Sequence, residues 1–498
     1  MVQATIAGTN ALETQPDSQS AVAPAIAFQQ KRRAHWDAVA ERFRSGSLGG
    51  RFYHAELARC YRRLVPPGMR VLEVGCGQGD LLAALKPSLG VGVDFSAPMV
   101  RRASEKHPHL RFIQADAHAL DLSGPFDVIV LSDLINDLWD VQTVFEQLAN
   151  LAGPQTRLIL NAYSRVWQLP LMVAQRLSFS RPTLVQNWLT VEDTANLLQL
   201  TGFEVVKRSR EILVPLEIPL VSRVLNRIGA RLWPLSAFAL TNVMVARRSP
   251  RLRNRDEERA PRVSVIVPAR NEAGNIEGIM TRTPDMGSGT ELVFVEGHST
   301  DDTYGAIEAA MARHPDRNAR LLRQTGKGKG DAVRAGFTEA SGDVLMILDA
   351  DLTVLPEDLP RFYEALVTGH GEFVNGVRLV YPMEAQAMRF FNLLGNKFFS
   401  MAFSWLLGQP IKDTLCGTKV LRKRDYELIA ANRAYFGDFD PFGDFDLLFG
   451  AARLSLKIVD LPVRYHERTY GSTNIHRWRH GWLLLRMVIF AARRLKFA

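Results

Sequence analysis

The sequence predicts an α/β fold class with two doubly wound sheets in succession, on three observations. Apolar runs of strand length alternate with stretches of helical periodicity through both halves of the 498 residues. Two of those runs open alike, an apolar strand breaking into a turn of small and polar residues: VLEVGCGQGD at Val71–Asp80 and VSVIVPARNE at Val263–Glu272. Between them lies RRSPRLRNRDEERAP, Arg247–Pro261, almost all charge with two prolines. Such a run buries too little apolar surface to offset its ordering entropy, which predicts a linker over 249–261 between two independently packed cores.

Composition sets the outer limits. Hydrophobic content of 47% with 23% charged residues is that of a well-cored globular chain. The net charge of +9 points to an anionic partner (nucleic acid, membrane surface or phosphorylated substrate) or to a basic solvated surface. Cys60, Cys76 and Cys416 have no metal or redox spacing, which predicts a reducing, cytoplasmic setting. No signal peptide and no membrane-spanning run are predicted.

In the first half, residues 1–28 lack a period and read as a disordered tail. Gln29–Leu64 reads as helical, with Tyr53, Leu57 and Tyr61 on one face, stopped by Pro66-Pro67-Gly68. The strand Val71–Val74 breaks at glycines that let the backbone turn and approach a ligand closely. Further strands are predicted at Gly90–Val93, Phe112–Gln114, Phe126–Leu131 and Leu158–Asn161. Asp94 and Asp116 follow the second and third, and Ser132-Asp133 the fourth. An acid after the second strand suits the hydroxyls of a ribose, and the ligand belongs at the strand C-terminal ends.

VLEVGCGQG, GVDFS, QADAHAL and FDVIVLSDL resemble the successive motifs of class I S-adenosylmethionine-dependent methyltransferases over 29–248. The glycines are spaced GxGxG, whereas a dinucleotide pyrophosphate calls for GxGxxG. The resemblance implies a Rossmann-like sheet ending in an antiparallel hairpin, with a helix at Val191–Leu200 and strands at Phe203–Val206 and Asn242–Ala246. It implies S-adenosylmethionine as cofactor, with Glu73, Gly75 and Gly77 at its methionine end, Asp94 at the ribose, Asp116 at the adenine edge and Ser132 closing the pocket. The methyl acceptor is unnamed by the sequence. Asp133, Asn136, Asp137 and His118 are acceptor-side candidates or plain structural polar residues.

In the second half, strands at Val263–Val267, Glu291–Val295 and Asp343–Leu348 lead into Pro268 and Glu272, into Glu296, and into Asp349-Ala350-Asp351. The loop Gly326–Asp331 carries Lys327 and Lys329, whose charges and free backbone amides suit a diphosphate. Asp349 and Asp351 lie two apart at a strand end and point the same way; paired hard carboxylates favour Mg2+ or Mn2+ bridged to phosphate. VSVIVPARNEAGNI, VFVEGHSTDDT, GKGKGDAVRAGF and GDVLMILDADLTV resemble family 2 glycosyltransferases of the GT-A fold over 262–498. GVRLV, IKDTLCGTKV and ERTYGSTN are similar to the polyprenyl-phosphate mannose synthase branch. The resemblance implies a nucleotide-sugar donor held by Pro268, Glu272 and Glu296, a metal at Asp349 and Asp351, and Arg378, Arg389 and Arg468 toward acceptor or donor phosphates. The chain departs from the family at Glu296-Gly297, where two aspartates are usual, at Lys419 for an arginine, and at Asn474 for a lysine. Transfer to a hydroxyl requires a general base, for which Asp444 and Asp446 are the candidates; a helix-capping role is the alternative.

Two segments bear on location. Met388–Leu407 carries a polar stripe of Arg389, Asn392, Asn396 and Ser400 among apolar residues, and Gly481–Phe497 is apolar and basic. Both suit an anionic lipid interface, or a helix pair packed on the core. The expectation is a bifunctional cytoplasmic enzyme in peripheral contact with the membrane, acting in cell-envelope chemistry on a lipid-linked or glycan acceptor. The alternative makes the first half a non-catalytic S-adenosylmethionine-binding module. Nucleic acid is not an expected partner, because aromatic-interleaved basic patches are missing from the sequence.

Overall fold

Strands whose two faces are both covered read as continuous apolar runs, and the runs in this chain assemble accordingly. The computed structural model describes residues 18–42, 48–124, 126–176, 184, 186–250, 260–378, 390–433, 445–463, 465, 466, 468, 470 and 477–497. Among them, β1 (Arg70–Val74), β2 (Leu89–Asp94), β3 (Arg111–Gln114), β4 (Val128–Leu131), β5 (Arg157–Tyr163), β6 (Phe203–Glu211) and β7 (Thr241–Arg248) form one sheet, in the order β3-β2-β1-β4-β5-β7-β6. β1 to β5 are parallel, and β7 pairs antiparallel with both β5 and β6. This is the predicted doubly wound sheet with its edge hairpin. β6 extends beyond the predicted Phe203–Val206, past a bulge at Val206.

The second sheet contains β8 (Val263–Ala269), β9 (Thr290–Glu296), β10 (Ala319–Arg323), β11 (Val344–Ile347), β12 (Phe373–Val377), β13 (Lys419–Arg422) and β14 (Ile458–Pro462), in the order β10-β9-β8-β11-β13-β12-β14. β10, β9, β8 and β11 are parallel; β13 is antiparallel to β11 and β12. Alternation along each central strand feeds two cores. Leu72 and Val74 enter one cluster and Val71 the other; Val263, Val265 and Val267 face opposite to Ile266.

Three features differ from expectation. The first helix begins at Ser18, ahead of the expected end of the tail at 28, and Phe28 packs edge-on to Trp139 at 5.0 Å with Arg32 over its ring. Residues 1–17 and the middle of the linker, 251–259, lie outside the described residues. The helices Phe390–Leu407 and Arg477–Ala491 do pack on the core: Phe403, Leu406, Leu407, Leu484, Met487 and Ala491 are buried in it. Phe398, Met401, Trp405, Trp482 and Ile489 remain exposed on the same pair.

The third difference is a polar contact between the two halves, whose buried hydrophobic clusters are otherwise separate. Both oxygens of Glu372 accept from Arg157 Nη2, at 2.8 and 2.7 Å, and Arg247 Nη1 lies 3.3 Å away. Arg247 Nη2 donates to Gly369 O at 2.6 Å, and Lys457 Nζ reaches Glu204 at 2.5 Å. Arg453 donates to the carbonyls of Arg62 and Arg63, and Arg157 Nε to Ser455 O. The joint is polar and largely buried, and these pairs cross the boundary.

Candidate active sites

The first site is built on the β1 and β2 ends. Gly75 N and Cys76 N both donate to Val93 O, folding the glycine turn over β2. Gly77 N donates to Asp94 Oδ2 at 2.9 Å and Ser96 N to Oδ1 at 2.9 Å, so Asp94 ties the two loops together with both oxygens. A carboxylate has about four lone-pair sites, which leaves acceptor capacity for a ribose. Gly75, Gly77 and Gly79 all have positive φ, at 75°, 51° and 74°. A Cβ on Gly75 would press Leu134, whereas one on Gly77 would meet no protein atom within 4 Å. Glu73 is buried; its Oε2 has no hydrogen-bond partner, and burial pushes its carboxyl up to about 8, with Asp94 and Asp80 adding to the rise. A buried carboxyl left unsatisfied beside an open glycine turn fits a cationic ligand group. Asp116 accepts from His118 N and Nδ1, and the His118 contact outweighs burial in holding its pKa below the usual value. Ser132 is half-buried next to Tyr61.

The acceptor-side candidates separate in the structure. Asp133, at positive φ, accepts from Tyr53 OH at 2.8 Å and Asn161 Nδ2 at 2.5 Å, and Tyr61 OH donates to Asn161 Oδ1 at 2.8 Å. Burial raises the Asp133 pKa against the opposing effect of His54. Tyr163 stands between Tyr53 and Trp188, its ring centroid 6.2 and 6.5 Å from theirs. Asn136 instead bonds Asn187 O, Asp137 pairs with Arg32, and His118 Nε2 accepts from Asp140 N, so these three are engaged in structure. Tyr53, Asn161 and Tyr163 were missed in the sequence. They come from a helix and a distant strand, and no local motif joins them.

The second site gathers the loops after β8, β9 and β11. Pro268 is half-buried on β8. Glu272 Oε2 accepts from Asn275 at 2.8 Å and its Oε1 lies 3.3 Å from Arg468; burial raises its pKa in spite of that arginine. Glu296 Oε1 accepts from Ser299 N at 2.6 Å. The Gly/Lys loop is fixed by Asp331, which accepts from Gly326 N, and by Gln324, which donates to Gly328 O. Lys327 is exposed. Lys329 Nζ lies 2.7 Å from Asp349 Oδ1. Burial would raise Asp349, yet Lys329, Lys419 and Arg378 hold it below the usual carboxylate range. Asp351 Oδ1 accepts from Thr353, and its Oδ2 lies 2.6 Å from Arg468. Each aspartate therefore has its own cationic side chain. A Cβ on Gly417 would collide with Asp349, a close approach that nothing in LCGTK announces.

Other expected site residues are engaged within the protein. Arg378 is held bidentate by Asp413, at 2.7 and 2.9 Å, with both side chains largely buried, and its charge also acts on Asp349. Asp446 pairs with Arg433 at 3.4 Å and Arg334 at 4.0 Å. Asp446 lies in the first turn of the helix Phe445–Arg453. Asp444 and Arg389 lie outside the described residues.

With this geometry in view, similarity to known proteins falls into the same two halves. Residues 49–208 match the family described as Methyltransferase domain, and 264–427 match Glycosyl transferase family 2. A dolichol-phosphate mannosyltransferase of Pyrococcus furiosus is 33% identical over 221 residues, 43% of this chain and 59% of the relative. An undecaprenyl-phosphate 4-deoxy-4-formamido-L-arabinose transferase of Edwardsiella ictaluri is 34% identical over 217 residues, 42% of this chain and 62% of the relative. The chain thus spans about three-fifths of these relatives. Among solved structures, magnesium protoporphyrin IX methyltransferase from Synechocystis, with bound SAH, aligns over 45% of this chain and 100% of its own (20% identity, TM-score 0.33). Glucosyl-3-phosphoglycerate synthase from Mycobacterium tuberculosis aligns over 48% and 81% (21% identity, TM-score 0.36). The chain carries a methyltransferase domain followed by a family 2 glycosyltransferase domain.

Proposed function

We propose that the protein is bifunctional: it transfers a sugar from a nucleotide-sugar donor to a lipid-linked acceptor, and a methyl group from S-adenosylmethionine to a second acceptor. The observation that carries the sugar-transfer reading is the convergence of Asp349, Asp351, Lys329, Arg468 and Glu272 at the C-terminal ends of β8 and β11. The two carboxylates would hold Mg2+ or Mn2+. A bound divalent cation supplies charge neutralisation on the leaving diphosphate. Lys329 and Arg468 hold the carboxylates and are within reach to turn toward phosphate oxygens. Glu272 and Glu296 stand at the donor's nucleoside side. In the first half, Glu73 would hold the cationic methionine end and Gly77 would line the cofactor pocket. Aligning the acceptor with an already activated methyl group is most of what such a site must do. The Asp133–Tyr53–Asn161 cluster, beside Tyr163, supports acceptor positioning there.

A lipid-linked acceptor matches the activities for which the dolichol- and undecaprenyl-phosphate relatives are named. No helix among the described residues is long and apolar enough to cross a membrane. A peripheral contact is supported by exposed apolar groups near basic ones. Leu220 and Trp233 are 80% and 85% exposed on the segment between β6 and β7, which also exposes Arg223 and Arg227. Arg231 of that segment lies 6.0 Å from the Phe497 ring of the C-terminal turn. The test is a donor screen: full-length protein, Mn2+, a panel of nucleoside-diphosphate sugars, and anionic vesicles with and without polyprenyl phosphate. Donor turnover stimulated by polyprenyl phosphate is expected. Turnover by none of the donors in folded protein would refute the sugar-transfer reading.

A further inference from the structure

Where the halves meet there is a second concentration of charge, away from both candidate sites. A cavity there is lined by Arg63, Lys207, Arg231, Arg453, Arg494 and Lys496, with Glu211 as the only acidic lining residue among the described residues. The local structure explains how so many cations converge. Past the bulge at Val206, Lys207, Ser209 and Glu211 alternate onto one face of β6. Arg63 comes from the end of the helix Leu48–Leu64 and Arg231 from the short turn Gly229–Arg231. The other half closes the cavity with Arg453 and the last turn, Arg494–Lys496. Gly408, at φ 71°, leaves room for the Lys207 stem: a Cβ there would lie 3.1 Å from Lys207 Cε.

Glu211 Oε2 is shared by Arg63 at 2.8 Å and Arg231 at 2.9 Å, so one carboxylate faces two guanidiniums. Arg63 Nε is buried without a hydrogen-bond partner. Burial, together with Lys496 and Arg63, pulls Lys207 down to about 7; burial, then Arg231 and Arg63, pull Lys496 to about 8. Lys207 and Lys496 are half-buried beside the buried Arg231 and Arg453, and like charges at this density repel one another where solvent is partly excluded. A multiply charged anion removes that cost. We infer that this interdomain cavity binds a phosphate group, accepting hydrogen bonds from Lys207, Lys496 and Arg63, and that its occupancy strengthens the joint between the two halves. The inference stands apart from either activity. Free phosphate and a lipid phosphate headgroup share the chemistry, and the test distinguishes them.

The test uses the full chain and thermal unfolding at constant ionic strength, with chloride exchanged for inorganic phosphate in one arm and short-chain phosphatidic acid added in the other. A saturable rise of several degrees is expected in one or both arms, as for a ligand that binds only the folded state. The arm that responds at the lower concentration identifies the source. In the double variant Lys207→Met/Lys496→Met the rise is expected to vanish, and the unfolding temperature without phosphate to equal or exceed that of wild type, because two mutually repelling charges are gone. Lys329→Met controls for phosphate binding at the Gly/Lys loop and should keep the response. No saturable shift in either arm, or an equal shift in the double variant, overturns the inference. If the double variant fails to fold, Lys207→Met alone, measured by calorimetric titration with phosphate, should bind at least tenfold more weakly; unchanged affinity overturns it equally.

Discussion

Replacing Glu372 by glutamine keeps the shape of the side chain and removes its charge. In the folded chain that carboxylate accepts from Arg157 on both oxygens, from Lys457 N at 2.9 Å, and faces Arg247 at 3.3 Å. The side chains of Arg157, Arg247 and Glu372 are 7%, 4% and 12% exposed, so solvent screens the loss poorly. Removing one partner of a buried ion pair costs about 3–5 kcal/mol, because the surviving charge stays buried. That is roughly a hundredfold to a few thousandfold in the folded-to-unfolded ratio. Two guanidiniums survive here, partly relieved by Glu204 and Gly369 O, which places the expected loss near the lower end. Urea denaturation of Glu372→Gln, followed by tryptophan fluorescence and circular dichroism, should show this loss. The two probes should also separate, since the halves lose their main electrostatic tie. Burial raises the Glu372 pKa, but Arg157 and Arg247 hold it below the ordinary glutamate value. Its contribution is therefore present above about pH 4.3 and lost as pH falls through the folded-state pKa. The difference between variant and wild type should shrink in acid. A loss under about 1 kcal/mol at pH 7, the range of an exposed pair, would refute this account of the joint.

Gly77→Val should abolish S-adenosylmethionine binding with the fold intact, because its side chain enters space free of protein atoms and its φ of 51° disfavours a branched residue; equilibrium binding with circular dichroism checks both. Cofactor affinity should rise about tenfold per pH unit up to about pH 8 and then level, since Glu73 must release a proton to meet a cation; calorimetry in buffers of different ionisation enthalpy should detect that proton, and Glu73→Gln should lack it. Asp351→Asn should lower sugar transfer by about a hundredfold in matched assays while methyl transfer persists, a loss typical of one electrostatic contact at a transition state. Arg486→Gln/Arg493→Gln should weaken binding to anionic liposomes by about 1 kcal/mol per residue in sedimentation assays, with high salt acting in the same direction.

Both sheets were legible in the sequence because their central strands are buried on two faces and read as unbroken apolar runs. The glycine turn at Gly75–Gly79 and the aspartates at the end of β11 were legible because a strand end fixes the position of the next few residues. Partners that come from far along the chain were hidden. Nothing near Arg378 announces Asp413, and nothing near Asp446 announces Arg334 and Arg433. Glu372 lies in an ordinary stretch before β12, and its role depends on Arg157 and Arg247, more than a hundred residues away. The first part of the helix from Ser18, 18–28, was missed because its composition is Ala-, Gln- and Ser-rich with little amphipathic contrast, and its packing depends on Trp139.

The pairing of Asp349 with Lys329 and of Asp351 with Arg468 has a consequence for the order of events. In the proposed reading the site behaves as an ion exchanger already in its salt form. A divalent cation arriving alone would have to displace two tethered ammonium and guanidinium counter-ions, and would meet their repulsion. A cation arriving on a diphosphate brings an anion onto which those side chains can move. The charge sum then changes little between the resting and loaded states, and the carboxylates never face each other bare. In that reading such a site would discriminate against free metal and in favour of the metal–nucleotide complex.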